Sequence, residues 1–221
     1  MGSESEEITI EMMRESFYSA VVSDALDGKG YRNQCIGVPL PPYTGVHKLV
    51  GRCKTTLWEE IDFEDPEPYA LELKAVDACR PDEVLVAAAG GSMRSGIWGE
   101  LLTTASRNTG CVGAIIDGAV RDITPIKAMD FPVFARGVSP YDSLHRQRVM
   151  SVDEPVEIGC VTIASGDLVV ADEDGIVIVP QKVEEEVVQA AWNKVHAENE
   201  VRDAIRNGMS ATEAFETYGV L

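Results

Sequence analysis

The sequence has few basic residues and no long apolar run, and both shortages exclude classes of protein. Its 221 residues include 19 lysines and arginines against 37 aspartates and glutamates, which gives a net charge of -18. Such a chain repels phosphate backbones and anionic lipid surfaces, and no stretch approaches the ~20 consecutive apolar residues of a membrane span. We therefore expect neither nucleic acid nor a membrane as a direct partner.

The signals of a secreted or zinc-binding protein are also missing. The N-terminus, 1–7, is acidic and polar, where a secretory signal needs a basic stretch followed by an apolar one. The five cysteines never stand at CxxC spacing, and we expect each to be a small buried apolar residue. His47, His145 and His196 lie far apart, which argues against a histidine-rich metal site. These shortages favour a cytoplasmic protein.

Hydrophobic spacing predicts an α/β fold in a single domain that covers 1–221. Apolar residues at helical intervals predict one amphipathic helix over 8–26. Two short apolar runs, 83–89 and 112–116, predict buried strands, and the helical pattern over 98–107 lies between them. A strand, a helix and a strand in about thirty residues form a right-handed crossover with parallel strands. Ligands bind at the carboxyl ends of such strands.

The second half of the chain is rich in predicted strands until a helical end. These strands cover 132–135, 156–164, 168–171 and 176–179. Asp174-Gly175, between the last two, is a strong signal for a hairpin turn. A long helix over 182–206 and a shorter one over 211–217 predict a C-terminal helical extension at about 182–221. The acidic run 59–67 predicts a solvated loop or edge.

A glycine-rich stretch, 90–102, follows the first of the two buried strands. If it forms a flexible turn that runs into a helix, the first backbone N–H groups of that helix lack partners and can bind a small carboxylate such as a 2-oxo acid. The amides concerned are those of Gly99, Glu100, Leu101 and Leu102. The alternative is that the glycines only permit a tight turn before the helix. In either case we expect Leu101, Leu102 and Ala105 to point inward.

The second stretch, 112–122, ends with Arg121 and Asp122. The arginine fork pairs with carboxylate and keto oxygens, and the aspartate is a hard oxygen ligand for magnesium or manganese. Together they would hold and polarise an enolate. The alternative is that Asp122 caps a short helix that starts at Ile123, with Pro125 just inside it, and that Arg121 is an exposed partner.

Taken together, the two stretches resemble the RraA-like fold family. An acidic residue, twenty intervening positions and Arg-Asp form the signature of its aldolase members, and twenty residues separate Glu100 from Arg121-Asp122. Further similar segments are 22–26 (VSDAL), 134–137 (FARG) and 165–175 (SGDLVVADEDG). The resemblance implies an α/β fold with β/β/α layers, like a swivelling domain, with a βαβ crossover, a β-rich second half and a long C-terminal helix.

The resemblance also implies a role for each matched residue. Asp122 would ligate the divalent metal, Mg²⁺ or Mn²⁺, and Arg121 would bind the pyruvyl end of the substrate. The backbone at 99–102 would grip the substrate carboxylate. Glu100 would lie near the metal waters and orient one of them as a base, although family aldolases often have aspartate at this position.

In the family an acid from the C-terminal helix of a neighbouring subunit reaches the site, and Glu198 or Glu200 is the counterpart implied here. The alternative is that both are solvated acids on a helix face, with Glu198 paired to Arg202 at i,i+4. The family assembles as trimers or pairs of trimers, so the resemblance implies a homotrimer or hexamer.

The activity implied by the resemblance is metal-dependent cleavage of a 4-hydroxy-2-oxo acid, such as 4-hydroxy-4-methyl-2-oxoglutarate, to pyruvate and a second oxo acid. Oxaloacetate would be decarboxylated through the same enolate. One alternative is a protein that binds and regulates a ribonuclease, but family members with that role lack the aspartate present here as Asp122. Another is methyl transfer to a quinone, which needs a nucleotide loop that Gly90-Gly91 copies poorly. The sequence has no GxSxG motif, which leaves metal-assisted chemistry as the best supported.

Overall fold

The computed structural model describes residues 8–219, so the stretch 1–7, from which we predict the absence of a secretory signal, lies outside the described residues. The helices are α1 (Ile10–Ser16), α2 (Ser19–Gly28), α3 (Ala70–Asp77), α4 (Glu100–Asn108), α5 (Ile123–Lys127), α6 (Glu184–Arg206) and α7 (Ala211–Tyr218), with a 3-10 turn (Gln181–Val183) before α6. The strands are β1 (Leu49–Glu60), β2 (Glu83–Trp98), β3 (Gly113–Val120), β4 (Val133–Val138), β5 (Gln147–Val152), β6 (Val156–Ile158), β7 (Val161–Ile163), β8 (Leu168–Ala171) and β9 (Ile176–Val179). Within 8–219, no helix has the length and apolar character that crossing a bilayer requires.

Seven strands form one mixed sheet in the order β4-β3-β2-β1-β8-β9, with β5 also paired to β1. The strands β1 to β4 run parallel, whereas β5 and β8 are antiparallel to β1, and β9 is antiparallel to β8. The helix α4 connects β2 to β3, and α5 connects β3 to β4. The predicted crossover with parallel strands is therefore confirmed.

The strand β1 is paired along both of its edges. One edge is occupied by β2, which pairs with 52–57. The other edge is shared, because β8 pairs with 49–52 and β5 pairs with 56–60. The ladder with β5 shifts its register between Leu57 and Trp58.

Alternation along the sheet sends neighbouring side chains into different cores. On one face, Val86 and Ile115 pack with the β6–β7 hairpin, which forms a small sheet of its own. On the other face, Leu85 and Ile116 pack with residues of α3 and α5. Each fully buried aliphatic side chain contributes roughly 1.5–3 kcal/mol. The layers are thus hairpin, sheet and helices, which confirms the expected β/β/α fold.

The opening segment forms two helices, so the prediction of one helix over 8–26 is wrong. The backbone is extended at Phe17 and Tyr18. The N–H and hydroxyl of Ser19 donate to the carboxylate of Asp172 at 2.7 and 2.6 Å. This carboxylate satisfies an amide that a continuous helix would have paired with a carbonyl. Phe17, at the break, is fully buried.

The glycines at 90 and 91 do not end β2, which is a second correction. Gly90 and Gly91 have φ angles of +59° and +77°, and β2 continues past them to Trp98 with shifts in its register against β3. Glycine tolerates such a backbone without steric cost, and extra residues in one strand form bulges. The stretch is therefore a bulged strand rather than a turn, and the helix starts only at Glu100.

Three smaller expectations also differ from the structure. The predicted strand over 156–164 is two strands, β6 and β7, which pair as an antiparallel hairpin. Cys35 and Cys160 are exposed, whereas the other three cysteines are buried as expected. The strand β5 was not predicted, because its inward residues include Gln147, which is buried and hides the alternation of polar and apolar residues.

Candidate active site

The carboxyl ends of three parallel strands meet at one edge of the sheet. Trp98 at the end of β2 is in register with Val120 at the end of β3, and Val120 is in register with Val138 at the end of β4. The segments that follow these strands are therefore neighbours. The first begins α4, the second is Arg121-Asp122, and the third is the loop that leads to β5.

Asp122 reaches from the end of β3 to the start of α4. Its backbone is left-handed, with φ 58° and ψ 37°, a conformation that aspartate adopts more readily than most residues. Its Oδ2 accepts a hydrogen bond from the N–H of Glu100 at 3.2 Å. Asp122 occupies the N-cap position of α5 but makes no side-chain cap bond there. The Asp122 carboxylate therefore faces the start of α4, where the functional interpretation needs it, and does not cap α5.

Gly99 leaves the space that this contact needs. A Cβ atom at Gly99 would lie 2.6 Å from Oδ2 of Asp122 and 3.1 Å from Cγ of Arg121. Both distances are shorter than ordinary van der Waals contact. The Asp122 carboxylate can approach the helix start only because residue 99 has no side chain.

The start of α4 presents backbone donors, of which one is already paired. The N–H of Glu100 is occupied by Asp122, while the amides of Leu101 and Leu102 belong to the first turn and have no intrahelical acceptor. The Glu100 carboxylate accepts a hydrogen bond from the hydroxyl of Thr104 at 3.0 Å. Two amides of the first turn of α4 thus lie next to Arg121-Asp122, whereas the Glu100 carboxylate contacts Thr104 on its own helix.

Leu101 does not point inward, contrary to the prediction. It is 75% exposed, and the buried residues of α4 are Thr103 and Ser106, while Leu102 and Ala105 are half-buried. The buried hydroxyls are satisfied within the chain, because Thr103 donates to the carbonyl of Gly99 at 2.9 Å and Ser106 to that of Thr103 at 3.0 Å. Thr103 and Ser106 occupy the inward face of α4, and Leu101 therefore lies in solvent beside the site.

Arg121 is held between two carboxylates. Its Nη1 lies 2.7 Å from Oδ2 of Asp142, and its Nε lies 3.6 Å from Oδ2 of Asp122. Asp142 belongs to the loop after β4, and its Oδ1 accepts a hydrogen bond from the hydroxyl of Tyr69 at 2.6 Å. Neither Asp142 nor Tyr69 was predicted. The position of Asp142 after the predicted strand 132–135 was a usable signal, since that strand ends at the same edge.

Burial and hydrogen bonding set the protonation of these partners. Burial and the bond to Asp142 raise the pKa of Tyr69 to about 12, so its hydroxyl remains a donor at neutral pH. Burial alone would raise the pKa of Asp142, but the Tyr69 hydroxyl, the Leu144 amide and Arg121 outweigh it and lower that pKa. Asp142 therefore carries its charge beside Arg121.

Glu72 adds a buried acid on α3. Burial raises its pKa to about 8, the charge of Asp142 adds to this effect, and Arg121 opposes it. Glu72 shares a small cavity with Trp98 and Leu102, among other residues. At neutral pH this carboxyl is mostly protonated, so the surroundings of Arg121 carry one negative charge less than the sequence suggests.

The donor set fits a hydrated divalent ion. Within 8–219 there is no group of three or more His, Cys, Asp or Glu side chains that could enclose a metal. Mg²⁺ keeps several waters and binds through one or two carboxylates and the substrate. The Asp122 side chain is 42% exposed and would hold such an ion close to the N–H of Glu100. A zinc-type cage is not what these residues form.

Glu198 and Glu200 lie apart from this site in the described chain. Glu198 accepts a hydrogen bond from Tyr18, and its carboxylate lies 3.8 Å from Lys194 and 3.9 Å from Arg202. It lines a cleft of about 430 Å³ between α2 and α6. Glu200 is exposed. The pairing with Arg202 is the one that the alternative interpretation predicted, and a role in a neighbouring subunit stays a prediction.

The chain matches the model of a known protein family, and it is similar in sequence to a named relative. The model of the RraA-like family, described as Aldolase/RraA, matches residues 19–178. A protein of Halalkalibacterium halodurans named "Putative 4-hydroxy-4-methyl-2-oxoglutarate aldolase" is 32% identical over 195 residues, which cover 88% of this chain and 87% of the relative.

Two solved structures have the same fold. An uncharacterized protein from Pseudomonas syringae is 27% identical with a TM-score of 0.80, and the match covers 93% of this chain and 95% of that protein. Streptomyces coelicolor RraAS2, described as an unusual member of the RNase ES inhibitor RraA protein family, is 26% identical with a TM-score of 0.77, and the match covers 91% and 99%.

Proposed function

This chain belongs to the RraA-like (Aldolase/RraA) family, and from that premise we propose that it is a divalent-metal-dependent lyase. Its substrate is a 4-hydroxy-2-oxo acid, such as 4-hydroxy-4-methyl-2-oxoglutarate, which it cleaves to pyruvate and a second oxo acid. The observation that carries the proposal is the meeting of Arg121, Asp122 and the free amides of α4 at one sheet edge. The aldolase name of the Halalkalibacterium relative supports it.

The chain's own groups bind and orient the oxo acid. The amides of Leu101 and Leu102, at the positive end of the α4 dipole, hold the carboxylate. Arg121 donates to the oxygen on C2, where negative charge grows as the bond breaks. Asp122 would hold Mg²⁺ or Mn²⁺, which supplies Lewis-acid polarisation of the carbonyl when bound.

The bond-breaking step is a retro-aldol cleavage. Glu100, acting through a water molecule, takes the proton of the C4 hydroxyl. The oxygen then forms a carbonyl with C4, the C3–C4 bond breaks, and its electron pair passes into the enolate of pyruvate, which is protonated on C3. Decarboxylation of oxaloacetate produces the same enolate with CO₂ as the other product, so we expect it as a side activity.

The test is release of pyruvate by the purified full-length protein with Mg²⁺, followed by coupling to lactate dehydrogenase. We expect release from at least one 4-hydroxy-2-oxo acid, its loss with EDTA, and its recovery with Mg²⁺ or Mn²⁺. Asp122→Ala should lower the rate by at least ~100-fold, whereas Asp27→Ala, which removes an exposed aspartate at the end of α2, should not change it. No release from a panel of such acids, or an unchanged rate in Asp122→Ala, would overturn the proposal.

A regulator of a ribonuclease is the second candidate function. It is favoured by the likeness to Streptomyces coelicolor RraAS2 and by the net charge of -18, which suits docking on a basic protein. Asp122 favours the lyase, because family members that regulate a ribonuclease lack this aspartate. Inhibition of a purified ribonuclease by both the wild type and Asp122→Ala, without any pyruvate release, would support the regulator instead.

We further propose that the protein assembles as a homotrimer or a hexamer, in which Glu198 or Glu200 of one subunit approaches the site of the next. The support is the family's assembly and the position of both acids on a long C-terminal helix. Sedimentation velocity gives the oligomeric state directly. If the assembly forms and neither Glu198→Gln nor Glu200→Gln slows pyruvate release, the proposal that a neighbouring subunit supplies an acid to the site is wrong.

A further inference from the structure

The orientation of the Arg121 side chain depends on a neighbour from a distant part of the chain. Its Nη1 lies 2.7 Å from the carboxylate of Asp142, 21 positions further on, and the side chain is about one-third exposed. A guanidinium has five N–H donors, so this ion pair and the longer contact to Asp122 leave donors for a ligand. An exposed arginine without such a contact would sample many rotamers.

Asp142 is itself fixed by two further bonds. Its Oδ1 accepts the hydroxyl of Tyr69 at 2.6 Å and the N–H of Leu144 at 2.7 Å. The Oδ2 atom therefore stays directed at Arg121. Tyr69 lies 73 residues before Asp142 in sequence, so the start of α3 and the loop after β4 are joined at this point.

The backbone of Tyr69 is strained. It has φ 64° and ψ 1°, in the left-handed region that bulky residues rarely adopt. Strained residues of this kind persist only where the surrounding structure holds them, and they cluster at functional sites. In Tyr69 the strain places the ring so that its hydroxyl reaches Asp142.

We propose that Tyr69 and Asp142 are positioning residues, which together form a clamp that fixes the Arg121 guanidinium for the oxo acid. The clamp rests on the proposed function for the identity of the ligand, but the geometry of Arg121 that it controls can be measured without a substrate. Neither residue touches the reacting atoms. Their effect on the reaction passes through Arg121.

A double-mutant cycle tests this dependence. Tyr69→Phe removes one hydroxyl, and we expect it to lower kcat for pyruvate release about fivefold, the effect of one hydrogen bond, with KM changed less than about twofold. In an Arg121→Lys background the same change should have no further effect, because the clamp no longer has its guanidinium. Equal losses in both backgrounds, or an unchanged kcat in Tyr69→Phe, would overturn the proposal.

A matched control separates the clamp from a general loss of stability. Tyr31→Phe removes a tyrosine hydroxyl outside the site and should leave kcat unchanged. If Tyr69→Phe does not fold, Asp142→Asn and Asp142→Glu replace it in the cycle. The clamp predicts that Asp142→Glu recovers more of the rate than Asp142→Asn, because it keeps the charge, and the opposite order contradicts it.

A spectrum of the arginine side chains distinguishes failure of the clamp from failure of the proposed lyase. In a ¹H–¹⁵N spectrum without substrate, the Nε–H signal of Arg121 is identified by its loss in Arg121→Lys. We expect this signal to move toward the position of exposed arginines in Tyr69→Phe and to stay in place in Tyr31→Phe. An unmoved signal in Tyr69→Phe refutes the clamp whatever the activity. A moved signal without any pyruvate release supports the clamp and refutes the lyase.

Discussion

Replacing Glu72 by glutamine should make the protein more stable at high pH and leave it unchanged near pH 5. Glu72 is only 8% exposed, and burial raises its pKa from 4.5 to about 8, with a further contribution from the charge of Asp142. Glutamine has the shape of the protonated acid and cannot ionise. The substitution therefore removes the cost of a buried group that loses its proton.

The sign follows from proton binding. Between pH 4.5 and 8 the unfolded chain has released the Glu72 proton while the folded chain still holds it, so stability falls as the pH rises through this window and levels off above it. Each pH unit inside the window changes the free energy of unfolding by up to ~1.4 kcal/mol. From pH 5 to pH 8 the loss is on the order of 3 kcal/mol, and Glu72→Gln should gain about that much over wild type at pH 8.

The assay is urea unfolding of wild type and Glu72→Gln at pH 5, 6, 7 and 8. Other carboxyl groups contribute equally to both proteins, so the difference between the two free energies of unfolding isolates Glu72. Glu157→Gln, the same change at an exposed position on β6, serves as the control and should give no pH-dependent difference. A difference that does not grow with pH, or a variant less stable than wild type at pH 8, refutes the reasoning.

Three further substitutions test the structure at other points. Gly99→Ala places a Cβ 2.6 Å from the Asp122 carboxylate. The rate of pyruvate release should therefore fall at least ~10-fold, and the free energy of unfolding should fall by ~1–3 kcal/mol. Wild-type kinetics in this variant would contradict the close approach. Ser19→Ala removes the hydrogen bond from the hydroxyl to Asp172 at 2.6 Å. It should lower the free energy of unfolding in urea by ~1–2 kcal/mol. No loss would mean that the bond from the Ser19 N–H alone maintains the helix break. Leu101→Ser, at a side chain 75% exposed, should change stability by less than ~0.5 kcal/mol; a loss above ~1 kcal/mol, with altered sedimentation, would show that another subunit covers it.

Local sequence patterns predicted the elements whose signal is contained within one segment. The apolar runs of β2 and β3 and the helix between them determine a parallel crossover, and this places Arg121 and Asp122 beside Gly99 without further information. The Asp174-Gly175 turn was predicted on the same basis, and β8 and β9 do form the antiparallel hairpin.

The parts that sequence patterns missed depend on contacts between distant residues. The helix break before Ser19 requires Asp172, 153 positions away, and the clamp on Arg121 requires Tyr69 and Asp142, which are 73 positions apart. The helical spacing of apolar residues also does not show that the hydroxyls of Thr103 and Ser106 donate to nearby backbone carbonyls. These bonds allow both residues to be buried in place of Leu101.

The divided edge of β1 has a consequence for how the molecule opens. The strand β2 covers one edge of β1, and β8 and β5 cover successive parts of the other edge. The sheet therefore protects backbone amides in both halves of β1 from solvent. They should be among the last to exchange with deuterium, and only through an opening that involves much of the fold. The changeover from β8 to β5 falls between Arg52 and Thr56, so an opening there would separate the two halves of this edge.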